Sequence, residues 1–305
     1  IKRNGREPIP AGRFAKPREK KGSISIVDKY RLEEIFRMLT KMIVLMEDTC
    51  GNLSCSFEHG LSVYVETDRH KLLMDTGATG KFLDNARILG VDLTQVDTVI
   101  LGHGHYDHSG GIVSFLNENK QAQIYLQKSA GGDYFHGERY IGIDKKILEH
   151  PQVHLLQGDY QIDEQLTLFT NIKGRRFFPK SNLLLSERTS GGDLVQDEFG
   201  HEQCLVFDDV LISGCAHNGI LNILDRYKEL FGREPKLVVS GFHMMKKTPY
   251  DEEECDIIRG TAKELASYKN TIFYTGHCTG QAAFDMMQEI MGEQLVQIHS
   301  GEVIK

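Results

Sequence analysis

The sequence Thr-Val-Ile-Leu-Gly-His-Gly-His-Tyr-Asp-His-Ser-Gly-Gly occupies residues 98–111 and joins an apolar segment to a cluster of polar side chains. Residues 98–101 are mainly apolar and β-branched, which predicts a buried strand. Three histidines and one aspartate follow directly: His103, His105, Asp107 and His108. Imidazole and carboxylate are the usual protein ligands of zinc, iron and manganese. The stretch therefore predicts a metal-binding loop just beyond the end of a strand.

The loop has enough ligands to contact two ions. His103 and His105 can point together toward one ion, while Asp107 and His108 turn toward a second. Glycines separate these side chains, and their backbone freedom is expected to permit the turn: Gly102, Gly104, Gly110 and Gly111.

Four ligands do not complete two coordination spheres, so distant residues are expected to contribute. Three histidines each follow a predicted strand: His217, His243 and His277. Functional groups in α/β sheets collect beyond the carboxyl ends of strands, which makes these three the candidates. His201 is a weaker alternative ligand. The remaining histidines have no partner at ligand spacing and are predicted to be surface or packing residues: His59, His70, His136, His150, His154 and His299.

Outside the loop, strand and helix patterns alternate. Strands are predicted at 43–46, 61–66, 71–75, 98–101, 123–127, 166–170, 183–186, 204–207, 210–213, 237–240 and 271–275, and helices at 81–89, 111–117, 220–231, 252–268 and 282–291. Residues 130–200 are less periodic and are predicted to form an insertion. This order predicts one layered α/β domain over residues 42–305.

Residues 1–41 differ from the rest in charge. They hold 12 Lys and Arg against 5 Asp and Glu, whereas the whole chain of 305 residues has a net charge of −7. We interpret them as a basic, solvated extension, or as sequence upstream of a native start at Met42, that ends in a short amphipathic helix at 30–41. A nucleic-acid-binding arm is the alternative; it is disfavoured because aromatic residues do not alternate with the basic ones.

Composition and missing motifs exclude several classes of protein. No apolar run reaches the roughly 20 residues of a membrane helix, no signal peptide is evident, and six cysteines include no CxxC pair. A cytoplasmic protein without membrane or nucleic-acid partners is expected. Dinucleotide, P-loop and serine-hydrolase motifs are absent from the sequence. Asp75-Thr76-Gly77 resembles an aspartic protease motif, but a single copy favours a structural turn with Asp75 behind the metal loop.

Four short motifs together are similar to those of a known family. The HxHxDH loop of His103, His105, Asp107 and His108, which continues as His105-Tyr106-Asp107-His108-Ser-Gly-Gly, resembles the signature of the metallo-β-lactamase superfamily. Three further motifs make the chain look like the dihydropterin-methyl-ribofuranosylaminobenzene 5′-phosphate synthase-like branch: Gly214-Cys215-Ala216-His217-Asn-Gly-Ile, Gly241-Phe242-His243 and His277-Cys278-Thr279-Gly280. The resemblance covers about residues 42–305. It implies a four-layer αββα sandwich with a dinuclear metal site at one edge of its two sheets.

By the same resemblance, the first metal has the ligands His103, His105 and His217, and the second has Asp107, His108 and His277. The sequence departs from the superfamily pattern at Cys215, where a bridging aspartate is usual. A thiolate can bridge two metals, but a small buried cysteine is the commoner role and is the one expected here.

The ligand-rich loop predicts a metal-dependent enzyme, and the resemblance implies a hydrolase or a pterin-methyl transferase (synthase) that acts on a small phosphorylated or pterin-like substrate. One or two zinc ions are expected, with manganese or iron as alternatives. Asp107 and His243 are the predicted catalytic residues, although His243 is equally open to a structural role. The alternative hypothesis is a non-catalytic or redox iron-binding protein. Candidate phosphate contacts, unless they form only a solvated basic turn, are Arg175, Arg176 and Lys180.

Overall fold

The computed structural model describes residues 39–305, which form two large β-sheets, one small β-sheet and six α-helices. The strands are β1 (Leu39–Met46), β2 (Ser62–Thr67), β3 (Lys71–Met74), β4 (Thr98–Ile100), β5 (Gln123–Gln127), β6 (Tyr134–His136), β7 (Arg139–Tyr140), β8 (Val153–Leu156), β9 (Tyr160–Gln161), β10 (Thr167–Phe169), β11 (Leu185–Arg188), β12 (Leu194–Gln196), β13 (Cys204–Phe207), β14 (Val210–Ile212), β15 (Leu237–Val239), β16 (Ile272–Thr275) and β17 (Leu295–Gln297). The helices are α1 (Lys81–Ile88), α2 (Tyr106–Ser109), α3 (Ile112–Glu118), α4 (Ile220–Phe231), α5 (Glu252–Leu265) and α6 (Gln281–Met291). None of the helices in this part of the chain is long and apolar enough to cross a membrane.

The two large sheets each contain a group of parallel strands. The first sheet has the order β1-β2-β3-β4-β5-β8, in which β3, β4, β5 and β8 are parallel. The second has the order β17-β16-β15-β14-β13-β10-β9, in which β14 to β17 are parallel. Because parallel strands end at the same edge, each sheet collects the residues that follow its strands in one place.

Helices cover one face of each large sheet. On the first sheet, Phe82 of α1 and Phe115 of α3 pack in one core with strand residues such as Val99. On the second, α4, α5 and α6 share a core with strand residues that include Val238 and Phe273. Burial of these apolar side chains is the main term that stabilises the layers.

The opposite faces of the two sheets are also buried. Ile100 of β4 and Leu205 of β13 point away from the helix cores and have no exposed surface. The side chain of Gln203 donates hydrogen bonds to the carbonyls of Leu101 (2.9 Å) and Tyr125 (3.0 Å) in the first sheet. The order of layers is therefore helix, sheet, sheet, helix, which confirms the predicted αββα sandwich.

The structure differs from the sequence prediction mainly at residues 130–200. This weakly periodic segment contains seven strands, β6 to β12, of two to four residues each. Four of them form the small antiparallel sheet, in the order β12-β11-β6-β7. Strands this short present too few residues for an alternating pattern. At the N-terminal end of the described residues, β1 begins at Leu39, so residues 39–41 form a strand where a helix was predicted at 30–41. The remainder of that predicted helix, residues 30–38, lies outside the described residues.

Candidate metal centre

The loop after β4 buries all four of its predicted ligands. His103 and His108 have no exposed surface, and His105 and Asp107 have less than 10 %. The expectation that glycines permit the turn through unusual φ values is wrong, because none of the four loop glycines has a positive φ. They are required by close packing instead: a Cβ on Gly104 would lie 2.6 Å from a backbone oxygen.

One group of ligand atoms is formed by His103, Cys215 and His217. Their ligating atoms all lie within 4.8 Å of one another. The Nε2 atoms of His103 and His217 are 3.2 Å apart. The ring of His105 stands 4.5 Å from that of His103 and 4.8 Å from that of His217. These are the three histidines predicted for the first metal.

A second group is formed by His108, Cys215 and His277, again within 4.8 Å. His108 Nε2 lies 3.2 Å from His277 Nε2 and 3.1 Å from Cys215 Sγ. Asp107 Oδ2 is 3.5 Å from His277 Nε2. The Sγ atom of Cys215 thus belongs to both groups, and the side chain is buried, as expected of a small packing residue.

Each of three ligand histidines is oriented by a hydrogen bond on its other ring nitrogen. Asp75 contacts Nδ1 of His108 at 2.6 Å, Asn182 contacts Nδ1 of His217 at 2.9 Å, and Asp48 contacts Nδ1 of His277 at 2.6 Å. Asp75 also accepts a hydrogen bond from the backbone of Gly102. Partners of this kind set the tautomer and direction of a metal-binding imidazole. The predicted position of Asp75 behind the loop agrees with these contacts.

The backbone is strained at the same place. Asp75, Ala216, His243 and His277 have φ values of 61°, 51°, 49° and 49°. Non-glycine residues rarely adopt this left-handed region, and such residues concentrate at functional sites. The strain accompanies the convergence of four separate strand ends on one site.

Burial keeps the imidazoles of the first group neutral. It lowers the pKa of His103 and His217 well below the usual range and that of His105 to about 3, with further lowering by neighbouring histidines. Neutral imidazole is the form that binds metal. Burial also raises the pKa of the Cys215 thiol, and the neighbouring Cys278 adds to that effect.

In the second group, contacts between oppositely charged partners outweigh the effect of burial on the pKa values. Burial alone would lower the pKa of His277, but hydrogen bonds to Asp107 and Asp48 outweigh it and raise the pKa. Burial would likewise raise the pKa of Asp107, yet neighbouring His108 and His277 hold it below its usual range. The Asp107 carboxylate and the His277 imidazole therefore stabilise each other's charged forms.

The donor set fits divalent metal ions. His105 Nε2 is buried without a hydrogen-bond partner among residues 39–305, and the Nε2 atoms of His103 and His217 contact each other instead of oxygen acceptors. A cation placed between these atoms would satisfy them all. Imidazole, carboxylate and thiolate together are typical of zinc and iron sites.

His201, the weaker alternative ligand, has both ring nitrogens occupied. Its Nδ1 accepts a hydrogen bond from the backbone N–H of Gly104 at 3.0 Å, and its Nε2 lies 3.0 Å from Asp197. It also forms a buried group with Asp197 and His105. Through these contacts His201 supports the loop that contains His103 and His105.

His59, expected to be a surface or packing residue, is exposed and has two carboxylate partners at this centre. Its Nδ1 lies 2.8 Å from Asp48 and its Nε2 lies 3.3 Å from Asp107. Its ring is 4.8 Å from the ring of His277. Asp48 lies two residues after β1, so its position near a strand end is a signal for Asp48 alone; His59 lies in the loop before β2.

A cavity of about 1070 Å³ opens onto the centre. Its lining includes ligand residues and His243, whose Nδ1 lies 2.9 Å from the hydroxyl of Ser181 and whose ring is 4.1 Å from that of His217. Burial lowers the pKa of His243 to about 3, so this imidazole is neutral at pH 7.

Two of the three candidate phosphate contacts lie elsewhere. Arg175 is paired with Glu198, and Arg176 is paired with Asp225 and Glu264; neither arginine lines the cavity. The alternative that they form a solvated basic turn agrees with this. The third candidate, Lys180, does line the cavity.

The fold and the site define the class of protein. The family model of the metallo-beta-lactamase superfamily matches residues 56–174. The solved structure of Tm1679, described as a metal-dependent hydrolase of the beta-lactamase superfamily, has a TM-score of 0.74 and 29% identity, covering 87% of this chain and 98% of that one. Residues 56–174 thus match the metallo-β-lactamase superfamily, as the motifs indicated, and the fold is similar to that of a solved member of that superfamily.

Two proteins of Methanocaldococcus jannaschii are similar over nearly their whole length. One is an uncharacterized protein, 26% identical over 272 residues, which are 86% of this chain and 99% of the relative. The other is named 7,8-dihydropterin-6-methyl-4-(beta-D-ribofuranosyl)-aminobenzene-5'-phosphate synthase and is 26% identical over 292 residues, 87% of this chain and 96% of the relative. The similarity therefore extends well beyond residues 56–174.

Proposed function

We propose that this chain is a metal-dependent, hydrolase-like enzyme that binds two zinc ions and acts on a small phosphorylated or pterin-like substrate. The observation that carries the proposal is the position of Cys215 Sγ, which belongs to both ligand groups at a cavity large enough for a substrate. The first ion would have the ligands His103, His105 and His217, and the second Asp107, His108 and His277, with Cys215 between them.

Zinc is favoured by the chemistry of the donors. Manganese prefers oxygen ligands, and the site offers mainly imidazole nitrogen and one sulfur. Iron remains the alternative, with a non-catalytic or redox role for the same residues. Members of the superfamily are mostly hydrolytic enzymes, which supports the catalytic hypothesis.

Bound divalent ions of this kind lower the pKa of water and polarise phosphate or carbonyl oxygens. The residues of this chain then bind and orient the reactants. Asp107, whose depressed pKa keeps it a carboxylate, accepts a hydrogen bond from a nucleophile. His243 is neutral and half-buried beside Ser181 in the cavity lining, so we assign it a hydrogen bond to a substrate oxygen.

The finer form of the proposal concerns the reaction. The name of the 26% identical synthase supports a pterin substrate whose pterin-methyl group is transferred to an acceptor. A cavity of about 1070 Å³ is at the upper end of ordinary ligand pockets and has room for a bicyclic ring with a substituent. Hydrolysis of a phosphoester is the simpler reaction, and it is tested first.

The test combines metal content with turnover. We expect the purified protein to contain about two equivalents of zinc by elemental mass spectrometry and to hydrolyse bis(p-nitrophenyl) phosphate. His105→Ala is expected to lose at least one equivalent and to reduce turnover more than about 100-fold. His154→Ala is the matched control, because that side chain contacts Gln123 and lies outside the cavity lining.

One equivalent of iron, or no metal, in protein never exposed to chelators would contradict the dinuclear zinc enzyme. Equal turnover in wild type and His105→Ala would do the same. If two zinc ions are present but no phosphoester is cleaved, pterin substrates with and without an arylamine acceptor separate the transferase from the hydrolase.

A further inference from the structure

Four cationic side chains line the cavity outside the ligand set: Arg139, Lys180, Lys246 and Lys247. They come from three separate segments of the chain, and each could attract an anionic part of a substrate. Whether a cationic side chain attracts such a group depends on the neighbouring carboxylates, because a cation that is paired with a carboxylate contributes little net charge to the cavity.

Two of the four are already neutralised. Lys180 Nζ lies 3.5 Å from Asp251 and 2.5 Å from Glu253. Lys246 Nζ lies 2.6 Å from Glu254, which itself lines the cavity. These pairs join the loops around the cavity to the start of α5 and leave no free cation there.

Arg139 and Lys247 are different. Neither has a carboxylate partner among residues 39–305, and both are exposed to the cavity. The guanidinium of Arg139, on β7, lies over the ring of Tyr106 at 4.8 Å from its centroid. Such a cation–π contact holds the arginine in place without neutralising its charge. Lys247 follows the segment that contains His243.

The wall between these elements is apolar. Residues from β11, from the segments after β7 and before β11, from the loop after β15 and from α5 line it: Ile141, Leu183, Leu184, Leu185, Met244 and Ile257. Leu183 and Leu184 are exposed by 63 % and 61 %. Exposed apolar residues grouped at a cavity mark a binding surface more often than a chance arrangement.

We propose that Arg139 and Lys247 select substrates that carry an anionic group on an apolar or aromatic body, with the body packed on the leucine and methionine wall. The inference rests on the proposed enzyme, since it concerns the same cavity, and it names the substrate class of that cavity. In this proposal Arg139 and Lys247 take the anion-binding role that the sequence suggested for Arg175 and Arg176, which form ion pairs at the surface.

Binding of two related dyes tests the proposal independently of turnover. 1-Anilinonaphthalene-8-sulfonate has an aromatic body and a sulfonate, and N-phenyl-1-naphthylamine has the same body without the charge. Fluorescence titration of zinc-loaded protein is expected to show tighter binding of the sulfonate. The double variant Arg139→Gln/Lys247→Gln is expected to weaken the sulfonate about fivefold to tenfold and to leave the neutral dye unchanged.

The control variant removes the same two charges elsewhere. Lys173 and Arg259 are exposed and lie outside the cavity lining, so Lys173→Gln/Arg259→Gln should bind both dyes as wild type does. Equal binding of the two dyes by wild type, or equal weakening by the two double variants, would overturn the proposal. If the same dye selectivity is found in protein that binds no zinc and turns over neither phosphoesters nor pterins, the enzyme proposal fails and the anion site stands.

Discussion

At the scale of single residues, Cys215 has the strongest consequence for the site. Its Sγ lies 3.1 Å from His108 Nε2 and shares a group with His103 and His217. A buried thiol with a raised pKa stays protonated unless a cation takes the place of the proton. The position therefore suits a residue that becomes a thiolate only when metal is present.

Replacement of Cys215 tests this role. We expect Cys215→Ala to lower the zinc content from about two equivalents to about one, because the sulfur is the donor common to both groups. Cys215→Asp should retain both ions, since a carboxylate can bridge as well. Elemental mass spectrometry measures the stoichiometry.

Cys278→Ala is the matched control. This neighbouring cysteine is buried in the same region but belongs to neither ligand group. Two zinc equivalents in Cys215→Ala, or equal losses in both alanine variants, would show that Cys215 only packs.

At the scale of elements, the ends of strands determine which side chains meet. The metal loop follows β4, Cys215 and His217 follow β14, and His277 follows β16. Parallel neighbours bring these ends to one edge of each sheet. The turn after β14 is also stabilised by a buried carboxylate. Glu202, just before β13, accepts hydrogen bonds from the backbone N–H groups of His217 and Asn218 at 2.6 and 2.9 Å.

Removal of that carboxylate is expected to loosen the turn. Glu202 is fully buried, so Glu202→Ala leaves its donors unsatisfied and should lower the free energy of unfolding by about 2–4 kcal/mol. Urea denaturation of metal-free protein measures the change. We also expect weaker retention of zinc, because the turn positions His217.

Glu198→Ala provides the comparison for Glu202→Ala. Glu198 is exposed and pairs with Arg175 at the surface, and its loss should change the free energy of unfolding by less than about 0.5 kcal/mol. Equal effects of the two substitutions would contradict the assigned role of Glu202.

At the scale of the whole molecule, the centre joins the two large sheets. His103, His105 and His108 come from the first sheet, whereas His217 and His277 come from the second. Ions bound to both would link the halves and stabilise the folded state, since the unfolded chain does not present these ligands together.

Chelation should therefore lower thermal stability. We expect removal of metal with a strong chelator to lower the melting temperature by about 5–10 °C, which corresponds to ligand present at about 100 times its dissociation constant. Differential scanning calorimetry with and without added zinc checks this. A melting temperature that does not respond to zinc would mean that the ions do not bridge the sheets.

Much of the site could be predicted because its ligands are local or follow recognisable strands. Four predicted ligands lie within six residues, and two more stand at strand ends. His59 and Asp48 were missed because their contacts with His277 and Asp107 join residues far apart in the chain. The short strands of residues 130–200, which form one wall of the cavity, have too little periodicity to be recognised.

The sequence by itself determined the layered α/β class, the loop rich in histidine and aspartate and the resemblance to the metallo-β-lactamase superfamily, because short motifs and alternating apolar patterns are local properties of the chain. Only the tertiary structure decided that Cys215 stands between the two groups, and that Arg139 and Lys247, not Arg175 and Arg176, face the cavity. The physical reason is that a side chain's charge and ligand role depend on which distant groups neutralise or share it. Spacing along the chain does not contain that information.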